Sequence, residues 1–535
     1  MTQDDQPDHP TDPGNEAEEA PQGADTADEK ETAPEAAFPV VGIGASAGGL
    51  QALEQFVAAL PEKSGIAFIV VTHTHPEHPT RLPELLSRKS PLQVLLIEDG
   101  MAPAPDTIYV PPSDRDPVLS GGLLRLHTRS ASAETHMPID TFLKSLAEEK
   151  EEASGCVILS GTGTDGTLGL GRIKEKTGVA AAQSRESARH TGMPTSAVET
   201  EMVDYVLDPA GIAEQLVAYF KHPVSVRARA GAPGKGPYPE GLSRLLSFLA
   251  KQTEHDFSLY KKSTLIRRIE RRMALCYASD MEAYLKFLQR SPEEVRALFQ
   301  DMLISVTSFF RDPEAFDHLR DKILPELLSR GEENDAFRVW VPGCATGEEA
   351  YSVAIILKEA LERLKTERRV QIFATDVDRS AIEKARIGLY PESIAADVGA
   401  GRLRRFFTKE EDAYQVKKEI REEIVFAEQN LLRDPPFMDL DLLVCRNLLI
   451  YLEPDGQEKL LPLFHYNLKT GGALFLGSSE SPGRYANLFQ TAAKKLSLYK
   501  KRDIQSPLHQ IHFPTGGPRT PAPGPQGGEA APGRK

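Results

Sequence analysis

Three residues able to cleave an ester together stand far apart in the chain: Ser46, His73 and Asp165. Ser46 is at the apex of Gly44-Ala45-Ser46-Ala47-Gly48, which satisfies the G-x-S-x-G pattern that lifts a serine onto a sharp strand-to-helix turn. His73 follows the apolar run Ile66–Val71. Asp165 lies in Gly161-Thr162-Gly163-Thr164-Asp165-Gly166, after the apolar run Cys156–Ser160. Runs this short and apolar read as buried parallel strands. All three side chains then fall at carboxyl ends of strands, where open parallel sheets gather their active sites. In that arrangement His73 takes the Ser46 proton and Asp165 orients His73. Backbone amides near Ser46 or the glycine-rich turn receive the oxyanion. The chain order Ser, His, Asp differs from the Ser, Asp, His of common α/β-hydrolases, so a different fold must reach the same geometry.

Two other readings compete for these residues. Gly42-x-Gly44-x-x-Ala47 also satisfies a dinucleotide fingerprint, but the next strand ends in Thr72-His73, where a ribose site wants Asp or Glu. His73-Thr74-His75-Pro76-Glu77-His78 is similar to the H-x-H-x-D-H metal motif of metallo-β-lactamase-like hydrolases, and His136, Asp165 and His190 would complete such a site. Glu77 in place of Asp and the serine turn upstream weigh against it, so no metal is expected and His75 and His78 read as loop surface. Taken alone, Asp165 before glycine is also a common turn pair.

Residues 38 to about 218 resemble the chemotaxis-type protein-glutamate methylesterase domain. The matching pieces are residues 44–49, His73, His136-Met137-Pro138-Ile139-Asp140, residues 159–166 and Met193-Pro194. The resemblance implies hydrolysis of glutamate methyl esters on chemoreceptors, often with glutamine deamidation, and assigns Ser46, His73 and Asp165 to the catalytic triad. Met137 stands where relatives often carry Arg, which bears on substrate contact. The usual amino-terminal receiver domain is absent, so its phosphorylation control is not expected within this chain.

A second chemistry is written further on. The strand Phe337–Pro342 leads into Gly343-Cys344-Ala345-Thr346-Gly347 and a helix over Glu348–Lys365; the next strand, Val370–Thr375, ends in Asp376. Here the acid stands where ribose hydroxyls need it, and the looser glycine pattern suits a Rossmann-like S-adenosylmethionine fold better than a dinucleotide one. Another strand, Leu440–Val444, runs into Cys445-Arg446-Asn447-Leu448-Leu449-Ile450-Tyr451, and residues 471–477 read as a late turn and strand.

Residues 240 to 502 resemble the chemotaxis-type glutamate methyltransferase. The resemblance rests on Thr307-Ser308-Phe309-Phe310-Arg311, Thr346-Gly347-Glu348-Glu349, Asp376-Val377-Asp378, Asn430-Leu431-Leu432 and the Cys445–Tyr451 run. It implies S-adenosylmethionine contacts from Thr307, Arg311, Glu349, Asp376, Asn430, Leu431, Arg446 and Asn447. It also implies that Arg267 and Arg272 face an acidic receptor helix, and that residues 389–424 hold a small β-subdomain. Ser305 departs from a relative's Asn. A glutamate acceptor is already ionised at neutral pH, so the enzyme has to align it with the methyl group and strip its water. Arg311 and Tyr451 are the candidates for holding it.

The elements that must position these groups give the fold class: α/β, two doubly wound parallel-sheet domains with a small helical domain between them. The expected boundaries are a methylesterase domain over 38–221, a linker over 222–240, a helical domain over 241–312 and a methyltransferase domain over 313–502. Acidic residues 1–37 and the Pro/Gly-rich residues 503–535 lack the bulky apolar side chains that would offset chain entropy, and are expected to be disordered tails. Apolar residues recur at three-to-four spacing over 242–253, 262–277, 281–289 and 292–304, giving four helices. Lys261, Lys262, Arg267, Arg268, Arg271 and Arg272 crowd the second, either a solvated face or a dock for an acidic partner. A net charge of −15 argues against nucleic-acid binding. Four scattered cysteines and the absence of a long apolar run point to a cytoplasmic protein without membrane insertion. The expected partners are methyl-accepting chemoreceptors or related signalling proteins. The alternative is an active methyltransferase carrying a non-catalytic esterase-like module, acting as a signalling scaffold.

Overall fold

Val40–Ala45 is buried at all six positions, as a strand covered on both faces must be. In the computed structural model, which describes residues 38–74, 77, 79–129, 136–229, 239–303, 306–330 and 335–507, it is the middle of a seven-stranded sheet. The order is Gln93–Leu96, Thr107–Val110, Ala67–Thr72, Val40–Ala45, Ser154–Ile158, Val179–Gln183 and Tyr205–Leu207, parallel throughout. The order turns back on itself at Val40–Ala45, so the crevice of this sheet opens beside that strand's carboxyl end. A two-stranded ribbon, Arg115–Ser120 with Leu123–Thr128, precedes the helix Pro138–Lys150, which packs on the sheet.

The second sheet repeats the plan. Ile424–Glu428, Val370–Asp376, Phe337–Pro342, Leu440–Cys445 and Leu468–Leu476 are parallel, and Leu498–Lys501 and Phe489–Ala493 close one edge antiparallel. Its switch point lies between Phe337–Pro342 and Leu440–Cys445. Leu389–Pro391, Ala413–Val416 and Phe407–Lys409 form the small antiparallel sheet expected of residues 389–424. Between the large sheets lie the helices Pro239–Thr253, Lys262–Leu275, Met281–Leu288 and Pro292–Leu303, around a core that includes Leu249, Phe257, Ile269, Tyr284 and Leu298. Among the described residues no helix is long and apolar enough to cross a membrane.

The segment read as a linker is partly structured. Pro223–Arg229 is a helix, and Val224, 1% exposed, belongs to the core of the helical domain. Pro223 at the first helical position presets the turn instead of breaking it. Residues 1–37, 230–238 and 508–535 lie outside the described residues.

Arg268 and Arg271 of the basic helix Lys262–Leu275 are turned inward and buried. Arg271 bonds Asp204 of the first domain and reaches Asp301 at 2.5 Å and the Gly178 carbonyl at 3.0 Å. Lys174 of the first domain sits 2.8 Å from Asp204 and 3.5 Å from Asp301. Arg268 donates to the Asp301 carbonyl at 2.6 Å and to the Glu175 carbonyl at 3.2 Å. Two arginines, a lysine and two carboxylates thus interlock, with Arg268, Arg271 and Asp204 nearly sealed from solvent and Lys174 and Asp301 only slightly exposed.

Two candidate active sites

The turn after Val40–Ala45 is held from below. Ser46 N–H donates to the Ser160 carbonyl at 3.0 Å, and Gly48 takes a left-handed conformation (φ 71°) to start the helix Gly49–Ala58. Ser46 is half-buried at the crevice. A Cβ on Gly161 would lie 3.0 Å from Ser46 Cβ and 2.2 Å from Met193 Sδ, so glycine keeps the floor beside the serine open. Asp165 is buried, with Oδ2 3.2 Å from His73 Nε2. The first-turn amides of Pro138–Lys150 fix that carboxylate: Ile139 N–H donates to Oδ2 at 3.0 Å and Asp140 N–H to Oδ1 at 2.9 Å. Unpaired amides at a helix start bind a carboxylate well, so the Asp165 side chain is held in place and aimed at His73. Among the described residues Ser46 Oγ makes no hydrogen bond to His73, and such contacts often tighten only around substrate.

Asp140 was not singled out by sequence beyond its place in a motif. It accepts from Gly169 N–H at 2.7 Å, and burial, then the Asp165 charge, pushes its carboxyl well above the usual range. His136, a candidate metal ligand, instead contacts Asp116 at 2.7 Å. His75 and His78 lie outside the described residues, as does Ser305.

The second switch point opens a cavity. Thr307, Arg311, Glu349, Asp376, Asn430, Leu431, Arg446 and Asn447 all line it, with Tyr451. Asp376 accepts from Ala345 N–H at 2.8 Å and Asp378 N–H at 2.9 Å, which aims it across the glycine turn; burial still pushes it up to about 6. Burial pushes Glu349 up to about 7 although Arg446 Nη1 lies 3.2 Å away. Gly343 (φ 71°) leaves room for Leu448, whose Cδ1 would be 2.4 Å from a Cβ there.

Three supports escaped the sequence reading. Glu480 accepts from Asn447 N–H at 2.9 Å, Gly477 N–H at 2.7 Å and Ile450 N–H at 3.2 Å, and so shapes the whole Arg446–Tyr451 loop. His255 and Tyr260 of the helical domain close the cavity, and His255 Nδ1 lies 3.2 Å from Asn430 Nδ2. Burial holds His255 neutral, down to about 4. Of the two arginines expected to meet a receptor helix, Arg267 is half-buried, while Arg272 is bound within its own domain, Nε to Glu294 at 2.8 Å. The open basic face is smaller than expected, because Arg268 and Arg271 are also taken.

The cavity suits S-adenosylmethionine on its own chemistry. It offers a strand-end carboxylate for ribose hydroxyls and Glu349 for an ammonium. Two buried polar atoms there, Arg446 Nε and Asn447 Oδ1, have no partner among the described residues.

The first sheet thus brings His73 and Asp165 to the crevice beside the Ser46 turn, and the second opens a pocket suited to a methyl donor. Residues 41–216 match the family described as CheB methylesterase, 240–303 the CheR methyltransferase all-alpha domain, and 305–496 the CheR methyltransferase SAM binding domain. A chemotaxis protein methyltransferase of Borreliella burgdorferi is 31% identical over 45% of this chain and 87% of its own length. That of Listeria innocua is 33% identical over 42% and 84%. The chain belongs to the chemotaxis methyltransferase family, with a CheB-type domain on the same polypeptide, and its cofactor is S-adenosylmethionine. An "Uncharacterized 104.1 kDa protein" of Rhodobacter capsulatus is 40% identical over 74% of this chain; the chain spans 44% of that relative's length. The crystal structure of the Thermotoga maritima CheB methylesterase catalytic domain is 31% identical, covers 34% of this chain and 98% of its own, and has a TM-score of 0.32.

Proposed function

We propose that this chain both writes and erases one mark. It methylates glutamate side chains of cytoplasmic chemoreceptor or related signalling domains, and it hydrolyses the resulting methyl esters, deamidating glutamines at the same serine. The observation that carries the reading is the His73–Asp165 pair beside Ser46 together with nine expected side chains around one cavity.

At the first site Ser46 Oγ attacks the ester carbonyl while His73 accepts its proton through the ring nitrogen not turned to Asp165. His73 then returns that proton to the departing methanol, and water cleaves the acyl-serine by the reverse sequence. At the second site S-adenosylmethionine, when bound, supplies an electrophilic methyl group. Thr307, Glu349, Asp376, Asn430, Leu431, Arg446 and Asn447 hold the donor. Arg311 and Tyr451 orient the acceptor carboxylate, and Leu448 and Tyr260 keep water out.

The test is label transfer from methyl-labelled S-adenosylmethionine to a panel of receptor signalling domains, with released methanol counted for the native chain and Ser46→Ala. Protein-bound label, with methanol lost only in the variant, is expected. The missing Ser46 Oγ–His73 hydrogen bond favours a second reading, in which the esterase half only binds; label without methanol from either form would establish it. No label on any receptor domain would refute the receptor assignment.

A further inference from the structure

The helix Thr167–Glu175 begins two residues after Asp165 and ends on the other protein half. Glu175, its last residue, has a side chain 8% exposed, and its Oε1 lies 3.1 Å from Arg311 Nη2. Its Oε2 pairs with Arg172, and its carbonyl accepts from Arg268. Tyr451, on the same cavity as Arg311, has its hydroxyl pushed up by burial and then by the Glu175 charge. Every residue lining that cavity belongs to the transferase half, so Glu175 is a carboxylate brought to Arg311 from outside it.

A glutamate carboxylate on Arg311 and near Tyr451 is what an acceptor would present. We infer that Glu175 is an internal stand-in for the acceptor glutamate: with the halves docked, the esterase domain occupies the transferase's acceptor site. The inference rests on Arg311 holding the acceptor. The interlocked Arg271, Lys174, Asp204 and Asp301 keep the stand-in in register, because they tie the residue next to Glu175 to the helical domain. Ser380 and Lys384 of the transferase add contacts to Glu201 of the esterase at 3.1 and 2.9 Å, and Ser393 N–H donates to Thr164 Oγ1 at 3.0 Å, one residue from Asp165. A competitor tethered in this way acts at an effective concentration of about millimolar, so a free acceptor at lower concentration is excluded until the helix end moves off Arg311.

The experiment measures binding of a fluorescent helical peptide bearing paired glutamates, with S-adenosylhomocysteine present. The full chain is compared with Glu175→Ala, Glu175→Gln, Arg311→Ala and the Glu175→Ala/Arg311→Ala double variant. Calorimetry of S-adenosylhomocysteine alone shows that the cavity of each Glu175 variant is folded. About tenfold tighter peptide binding in both Glu175 variants is expected, with that gain lost in the double variant. No gain in either Glu175 variant overturns the inference and leaves Arg311 untouched. A gain that survives in the double variant overturns the acceptor role of Arg311 itself. Methyl label recovered on Glu175 would overturn the stand-in role by making it an acceptor.

Discussion

Asp165 shows how much of a site one residue can carry. Two helix-start amides fix both of its oxygens, and one of those oxygens faces His73. Asp165→Asn keeps the shape but reverses the hydrogen-bonding sense at one oxygen, so methanol release should fall by about 10⁴-fold with thermal stability little changed. Loss of less than about tenfold would remove Asp165 from the triad. In the other site, Asp376 at about 6 and Glu349 at about 7 hold protons longer than ordinary carboxyls, because burial disfavours their charged forms. Both must be ionised to accept from ribose hydroxyls and an ammonium, so affinity for S-adenosylmethionine should weaken as pH falls through that range. Conversely, the free protein should lose stability as pH rises from about 4 toward 7, since folded carboxyls with raised values bind more protons than unfolded ones. Calorimetric affinity that stays flat with pH would contradict this. Ser46, His73, Asp165 and the cavity residues were legible because each closes a strand or stands in a motif. Glu480 and His255 were not, because a carboxylate that bonds three amides and a histidine kept neutral by burial leave no local pattern.

Element boundaries followed from hydrophobic period to within a few residues, as with Phe337–Pro342 and Lys262–Leu275. The misreading at 222–240 has a physical cause: Pro223 signals a break in sequence but a helix start in the fold, and only packing of Val224 separates the two. Gly161 is the element-level constraint most open to test. Gly161→Ala forces Met193 or the serine turn to move, which should cost about 1–3 kcal/mol of stability and most esterase activity. Adding Met193→Ala should return part of the stability. A double variant no more stable than the single one would show that the serine turn, and not Met193, gives way.

Across the whole molecule, what sequence could not show was the partner of the basic helix. Its arginines were readable as a face for acidic protein, but the acid they meet, Asp204, lies 67 residues from Arg271, and no local spacing announces that pairing. Burial alone would raise Asp204; Arg271 and Lys174 outweigh it and hold the carboxyl below its ordinary range. The stabilisation it gives is therefore present above about pH 4 and is lost as pH falls below that value. Asp204→Ala leaves Arg271 and Lys174 with one carboxylate between them and should cost about 3–5 kcal/mol in chemical denaturation. A cost under about 1 kcal/mol would mean the two halves are not held together by this cluster.

The nine-residue helix Thr167–Glu175, about 14 Å long, runs from just past the carboxylate that serves Ser46 to the one that sits on Arg311. A single rigid rod therefore has each end in a different reaction. Thermodynamic linkage then fixes a reciprocity: whatever factor an acceptor at Arg311 imposes on ester affinity at Ser46, the ester imposes the same factor on the acceptor. Opposed reactions joined in this way report on each other's occupancy, and the methylation level of a bound target becomes an input to the enzyme as well as its output.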